Sequence, residues 1–138
     1  MESTDEVRLS VPARPELLRL ARVTAAGLAS RLGFSYDEVE DLRLAIDELC
    51  YGLTGPEGRD GMVEIRYDLS PEQLVIEGEG FFGEDAPAVT LSELSEIMLS
   101  ALVDEHHLEA GPKGPRFRLV KIGRAPHGAA LNGLGGAS

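Results

Sequence analysis

Glu48 is the first residue whose type and position could support chemistry. It lies in the segment 42–53, LRLAIDELCYGL, whose apolar residues recur at helical spacing, and Gly52 follows one turn later. A carboxylate beside an apolar helix face is costly unless it finds a partner, a cation or a proton. The alternative is an acid at the edge of the apolar stripe, either hydrated or paired with Arg43 or a loop residue. This helix alone leaves both interpretations open.

A pair of glycines, Gly78 and Gly80, is the second candidate, in the segment 76–83, IEGEGFFG. Glycines directly after a predicted strand let the backbone approach a ligand closely, and the amides freed there can meet a phosphate. Glu77 and Glu79 flank them and would oppose phosphate binding unless a divalent cation intervened. The alternative is a loop that leaves a hairpin.

The remaining reactive side chains predict no metal site and no nucleophile. His106 and His107 are adjacent, so on a strand they point to opposite faces and make a poor chelate. Cys50 is the single cysteine, which excludes an internal disulfide, and its apolar helix predicts a buried thiol. No grouping of serine, histidine and acid stands out along the chain.

The composition limits the classes of partner. A chain of 138 residues with 43% apolar content is suited to one domain. Its 13 basic and 24 acidic residues give a net charge of -11, which repels nucleic acid and anionic lipid and favours a basic protein partner. No apolar run reaches the length of a membrane span and no leader is visible, so we expect a cytoplasmic protein.

The elements that must position these residues follow from hydrophobic periodicity. The pattern predicts the order βααββαββ, hence an α+β two-layer sandwich: a mostly antiparallel five-stranded sheet with three helices on one face. Ser35 and Glu38 predict a capping box that begins the second helix. The strands are expected at 6–11, 62–69, 73–78, 106–110 and 116–122, and the helices at about 15–32, 36–53 and 91–104. We expect residues 1–122 to form the domain and residues 123–138 to be a disordered tail.

The apolar faces of two helices can also be predicted. In the first helix the stripe is expected to be Leu17, Leu20, Ala21, Thr24, Leu28 and Leu32. In the third helix it is expected to be Leu94, Ile97, Met98, Ala101 and Leu102.

The predicted elements and several short sequence motifs, in this order, resemble a known family. The chain is similar to bacterial anti-sigma factors of the serine-protein-kinase type, and in particular to divergent actinobacterial members. They belong to the histidine-kinase-like ATPase superfamily, also called the GHKL or Bergerat fold. The resemblance rests on ARVT at 21–24, DLRLAIDELC at 41–50, GEGF at 78–81, LVDEH at 102–106 and GPRFRLVK at 114–121. It implies a regulator of transcription, as in stress responses.

The resemblance gives Glu48 a specific role. In the family an acid on the second helix acts as general base, and an asparagine four residues later helps to hold Mg²⁺ against the phosphates of ATP. Glu48 matches the acid, whereas Gly52 occupies the asparagine position and has no oxygen side chain to offer a metal. The resemblance therefore implies ATP and Mg²⁺ as cofactors only if the site is functional.

Two further nucleotide motifs depart from the family pattern. Gly78 and Gly80 match its paired glycines, but Ile76 occupies the position of the aspartate that reads adenine. Glu77 could replace that aspartate only if a β-bulge shifted the strand by one residue. The family's glycine-rich run at the start of the last helix corresponds to LSELSEIM at 91–98, which contains no glycine.

The implied partner site is better preserved. In the family an arginine of the first helix contacts the sigma factor and the competing anti-anti-sigma protein, and Arg22 matches it. The leading hypothesis is an anti-sigma factor that sequesters a sigma factor, is countered by a STAS-type anti-anti-sigma factor, carries degenerate nucleotide motifs and forms a homodimer. The alternative is an active Mg-ATP-dependent serine kinase that phosphorylates the anti-anti-sigma protein, with Glu48 as base and Asp47 or Glu77 as substitute cation ligand. A third possibility is a dimeric scaffold that binds no sigma factor.

Overall fold

The computed structural model describes residues 5–83, 91–112 and 114–124. The strands are β1 Asp5–Pro12, β2 Gly61–Ser70, β3 Gln73–Phe82, β4 Glu105–Ala110 and β5 Pro115–Ile122. The helices are α1 Pro15–Arg31, α2 Tyr36–Thr54 and α3 Glu93–Leu102. The predicted order βααββαββ is confirmed. None of the helices in these ranges is long and apolar enough to cross a membrane.

The five strands form one antiparallel sheet in the order β1-β2-β3-β5-β4, which confirms the α+β two-layer fold. Side chains alternate along each strand, so that Val63, Ile65 and Tyr67 of β2 are buried while Glu64 is exposed. The pairing of β2 with β3 runs without interruption from Gly61–Phe82 to Ser70–Gln73. This register contains no bulge that could shift β3 by one residue.

Apolar packing between α2 and the inner sheet face forms the centre of the core. The fully buried side chains that contribute to it include Leu42, Ile46, Leu49, Ile65, Leu74, Ile76 and Leu119. Tyr67 adds a polar link, because its hydroxyl donates a hydrogen bond of 3.0 Å to the carbonyl oxygen of Ala21 in α1. Burial raises the pKa of Tyr67, so this hydroxyl keeps its proton and remains a donor.

The outer sheet face carries cross-strand ion pairs instead of apolar side chains. Glu77 of β3 lies between Arg66 and Arg118, at 3.4 Å from the Nε of Arg118. Arg118 also reaches Glu105 at 3.2 Å. Because the charges alternate in sign, this face can be solvated as a network of weak surface pairs.

The predicted capping box of α2 is confirmed. The amide of Glu38 donates to the Ser35 hydroxyl at 3.1 Å, and the amide of Ser35 donates to the Glu38 carboxylate at 2.8 Å. Glu38 also accepts the amide of Arg124 at 2.6 Å. Burial raises the pKa of Glu38, but these amide and hydroxyl donors outweigh it, and the net pKa is lowered.

A second carboxylate holds the same C-terminal segment. Asp104 accepts the amide of Ile122 at 2.8 Å and the guanidinium of Arg124 at 2.6 Å, and these donors lower its pKa against the opposing effect of burial. Gly123 and Arg124, the first two residues of the predicted tail, are therefore packed on the domain. We call Glu38, Asp104 and Arg124 the C-terminal clamp. Residues 125–138 lie outside the described structure.

The structure corrects the predicted apolar faces of two helices. In α1 the buried residues are Leu18, Ala21, Ala25 and Ala29, whereas the predicted Leu20 is exposed. In α3 the buried residue is Leu99, while the predicted Leu94, Ile97 and Ala101 are exposed. The reason in α3 is that apolar residues surround most of this short helix, so spacing alone does not select one face.

Candidate functional site

Glu48 is half-buried on α2 and is bonded to α3. Its carboxylate accepts a hydrogen bond from the hydroxyl of Ser95, and the hydroxyl of Ser92 donates in turn to Ser95 Oγ at 2.9 Å. Ser92 is also the N-cap of α3, since its Oγ accepts the amide of Ser95 at 3.0 Å. Of the alternatives for Glu48, a pairing with Arg43 is wrong, because Arg43 lies against Glu40 at 3.4 Å.

The space beside Gly52 is filled by leucine side chains. A Cβ built at Gly52 would lie 2.9 Å from Cδ2 of Leu108 in β4 and 3.3 Å from Cδ2 of Leu91. Real Cβ atoms rarely approach another carbon that closely, so a larger side chain at Gly52 would displace both leucines. We call Glu48, Gly52, Leu91, Ser95 and Leu108 the Glu48 corner.

Gly78 and Gly80 lie inside strand β3, so the interpretation of this segment as a loop was wrong. A Cβ at Gly78 would lie 2.4 Å from the ring of Phe117, and one at Gly80 would lie 2.5 Å from the ring of Phe82. The two glycines thus make room for aromatic rings. Close packing within the sheet is therefore a reason for glycine at both positions.

The positions expected to read adenine and to hold a cation are occupied otherwise. Ile76 is fully buried in the core, and Glu77 points to the outer sheet face, where it pairs with Arg66. With no bulge in β3, Glu77 stays on the side opposite to Glu48. Asp47, the other proposed substitute ligand, is bonded to Arg22 at 2.8 Å.

The two histidines are separated by the sheet, as predicted from their adjacency. His106 contacts Glu96 of α3 through Nε2 at 2.7 Å, while His107 is exposed and lines the groove on the outer face. Within residues 5–83, 91–112 and 114–124, no three side chains of the metal-binding types are grouped to hold an ion. Cys50 is buried as predicted, and burial raises the pKa of its thiol to about 12.

Arg22 lies at the seam between α1 and α2. Its Nη1 donates to Asp47 at 2.8 Å, and its Nε is buried without a hydrogen-bond partner in the described part of the chain. Large apolar side chains are exposed along both helices, with exposed fractions of 46% for Leu20, 61% for Val23, 53% for Leu44 and 56% for Tyr51. We call these four residues, together with the Arg22–Asp47 pair, the helical face.

Sequence reasoning found Glu48, Gly52 and Arg22 but missed their neighbours. Ser95 and Leu108 are far from Glu48 along the chain, and only the fold brings them together. Ser92 could have been identified from the sequence as the N-cap of α3, since serine is a preferred residue just before a helix. The contact between Ser95 and Glu48 has no comparable local signal.

The element order and the five-stranded antiparallel sheet match the histidine-kinase-like ATPase (GHKL) fold. A crystal structure of the RsbU and RsbW domains of Rv1364c from Mycobacterium tuberculosis is similar, with a TM-score of 0.62 and 16% identity. The match covers 87% of this chain and 33% of that longer chain. At this identity it establishes the fold alone.

Sequence comparison identifies the family. Serine-protein kinase RsbW of Bacillus subtilis (strain 168) is 32% identical, and the match covers 75% of this chain and 77% of that protein. RsbW of Bacillus velezensis is 30% identical, with 94% of each chain covered. No protein-family model matches the chain. The chain belongs to the RsbW family of serine-protein kinases and anti-sigma factors.

Proposed function

We propose that this chain is an anti-sigma factor that works by protein contact alone. It sequesters a sigma factor in the cytoplasm and is released by a STAS-type anti-anti-sigma factor, without Mg-ATP. The observation that supports this most directly is the filled Glu48 corner, in which Ser95 bonds to the Glu48 carboxylate, and Leu91 and Leu108 fill the space beside Gly52. The helical face, in contrast, exposes its apolar side chains around Arg22.

The residues of the Glu48 corner do not fit Mg-ATP. Phosphoryl transfer depends on positioning the nucleotide and on a cation that neutralises the phosphates. Gly52 offers no ligand, Ile76 offers no polar group to adenine, and Asp47 and Glu77 are bonded elsewhere. These observations support the interpretation of the nucleotide motifs as degenerate.

The helical face fits a protein partner. Arg22 and Tyr51 are of the residue types enriched in binding hot spots, and the exposed leucine and valine side chains around them add apolar surface to the same face. The net charge of -11 attracts a partner whose task is to bind DNA and hence to carry basic surfaces. We also expect a homodimer, on the resemblance to the family.

Inhibition of transcription tests this function. The experiment reconstitutes RNA polymerase core with each sigma factor of the source organism in turn and adds the purified chain without nucleotide. We expect promoter-specific transcription to fall with one sigma factor, and to recover when a STAS-type protein from the same organism is added. Unchanged transcription with every sigma factor would contradict the proposal.

The retention of Glu48 favours a second candidate function, that of an active serine kinase. Under this alternative Glu48 is the general base for a serine of the anti-anti-sigma protein. Incubation of both proteins with Mg²⁺ and ATP labelled on its γ-phosphate would detect the reaction. Label that enters the anti-anti-sigma protein, and is lost with Glu48→Gln, would establish the kinase and refute a function by contact alone.

A further inference from the structure

We infer that α3 and its neighbours form a built-in plug of the former nucleotide site: Ser95 bonds to Glu48 as a substrate hydroxyl would, and Leu91 and Leu108 fill the space that a metal-holding side chain at position 52 would need. This inference rests on the proposed function, because it requires that the family site has degenerated. It goes further in stating what replaced the nucleotide. The fold closes the site with its own side chains.

The polar half of the plug is a hydroxyl relay. A general base in this family accepts a proton from a serine hydroxyl or a water, so it needs an open lone pair. In this chain Ser92 donates to Ser95, and Ser95 donates to Glu48. The carboxylate is thus satisfied by an internal serine in the same donor role that a substrate serine would play.

The apolar half of the plug lies against Gly52. Leu108 of β4 and Leu91, just before α3, approach the glycine closely enough that a Cβ there would have to displace them. An asparagine side chain would extend further into the same volume than a Cβ does. The two leucines are therefore compatible with glycine and would compete with any metal ligand at this position.

Contacts at several points hold α3 in place. Glu96 reaches His106 of β4 at 2.7 Å, and the carbonyl oxygen of Leu102 at the end of the helix accepts Nζ of Lys121 at 2.7 Å. Just beyond the helix, the amide of Asp104 donates to the carbonyl of Val120 at 2.9 Å. Because the contacts come from two strands, the plug is part of the domain and not a loosely attached segment.

Hydrogen exchange of the wild-type chain tests the plug directly. We expect the helical amides of residues 96–102 to be protected without nucleotide, and their exchange to be unchanged by millimolar Mg-ATP. Ser95→Ala should accelerate the exchange of these amides by about tenfold, since the link to Glu48 is lost. Ser100→Ala, at an exposed serine of the same helix, is the matched control and should leave exchange unchanged.

The packing of Leu91 and Leu108 against Gly52 can be tested by comparing the effects of two glycine-to-alanine substitutions on the Tm. Gly27 of α1 has no atom within 4 Å of a Cβ, so Gly27→Ala should raise the Tm by about 3 °C through helix propensity. Gly52→Ala should give a smaller gain or a loss, because Leu108 opposes the new methyl group. In a Leu108→Ala background the difference between the two substitutions should shrink, and only the contact with Leu91 at 3.3 Å should still oppose the methyl group at position 52. Equal gains at Gly27 and Gly52 in the wild-type background would refute the plug.

The outcomes separate this inference from the proposed function. Micromolar binding of Mg-ATP by the wild-type chain, or a change in the exchange of α3 on adding it, would overturn the plug. Neither result would restore or remove inhibition of a sigma factor, which the transcription assay measures without nucleotide. Conversely, the chain could inhibit no sigma factor and still show the expected hydrogen exchange of α3 and the expected Tm difference between Gly27→Ala and Gly52→Ala. That result would support the plug and contradict the proposed function.

Discussion

The Glu48 corner and the helical face share helix α2, but the groups of the corner are paired or packed within the chain while the large apolar side chains of the helical face are exposed. In the corner each group has a partner inside the chain: Ser95 satisfies Glu48, and leucines fill the space beside Gly52. On the helical face, Val23 and Tyr51 remain exposed and Arg22 keeps one buried donor without a partner in the described residues. The difference indicates that the helical face is the surface available to bind a partner.

The largest expected effect is the loss of partner binding in Arg22→Glu. Reversing a charge at the centre of the helical face and placing it beside Asp47 should weaken sigma-factor binding by about 2 kcal/mol or more, roughly 30-fold. Titration calorimetry with the inhibited sigma factor measures the change. Arg31→Glu, at the far end of α1, is the matched control.

Asp47→Asn separates the arginine from its ion pair. This substitution breaks the same pair but keeps the Arg22 guanidinium, so sigma-factor binding should be retained. Equal losses in Arg22→Glu and Asp47→Asn would mean that the pair matters only for structure.

The second effect is on stability and involves the other region. Ser95→Ala removes a donor to a half-buried carboxylate and should lower the free energy of unfolding by about 1–2 kcal/mol, as measured by urea denaturation. Sigma-factor binding should remain unchanged in this variant. If Ser95→Ala weakened binding as much as Arg22→Glu does, the two regions would be coupled and the contrast between them would be wrong.

We expect the carboxylates of the C-terminal clamp to make the stability of the folded chain depend on pH. The folded-state pKa values of Glu38 and Asp104 lie below their ordinary values of 4.5 and 3.8. A lowered pKa contributes stability that is present above the unfolded-state pKa and is lost as the pH falls through the folded-state pKa. We expect the urea midpoint to be constant above about pH 5 and to fall below about pH 4.

The clamp carboxylates can be tested by neutral variants. The double variant Glu38→Gln and Asp104→Asn should be less stable at pH 7 and should lose less stability between pH 5 and pH 3 than the wild type does. A wild-type and a variant acid profile of equal steepness would place the acid sensitivity elsewhere.

The smallest expected effect concerns the thiol beneath the helical face. Cys50 lines the groove beside Tyr51, and its pKa of about 12 keeps it protonated at pH 8. We expect a disulfide reagent to label it slowly in the native chain and rapidly in urea. Fast labelling of the native chain would indicate that α1 and α2 separate in solution. It would contradict the description of the helical face as an exposed surface over a closed interior.

The fold could be predicted further than the site could. Alternation and helical spacing are local properties, so β2, α2 and the Ser35 capping box followed from the sequence. The prediction ended β3 at residue 78, because the glycine pair indicated a loop, whereas the strand continues to Phe82. The role of Gly78, making room for the Phe117 ring from β5, depends on sheet order, which no local pattern encodes.

The site illustrates the same limit in chemical terms. Glu48 was recognisable as an acid that needed a partner, since its charge and its apolar neighbours are in one segment. The identity of that partner was not recognisable, because Ser95 comes from another helix. Likewise, Gly52 was visible as a missing ligand, whereas Leu108 fills its space from β4.

The hydrogen bond from Tyr67 to Ala21 has a consequence for recognition kinetics. It fastens the backbone of α1 to β2 at the residue that precedes Arg22. A helix fixed in this way is preorganised, so a partner that docks on it spends little free energy on ordering the surface. Substitutions on the helical face should therefore shorten the residence time of the complex while leaving its association rate nearly constant.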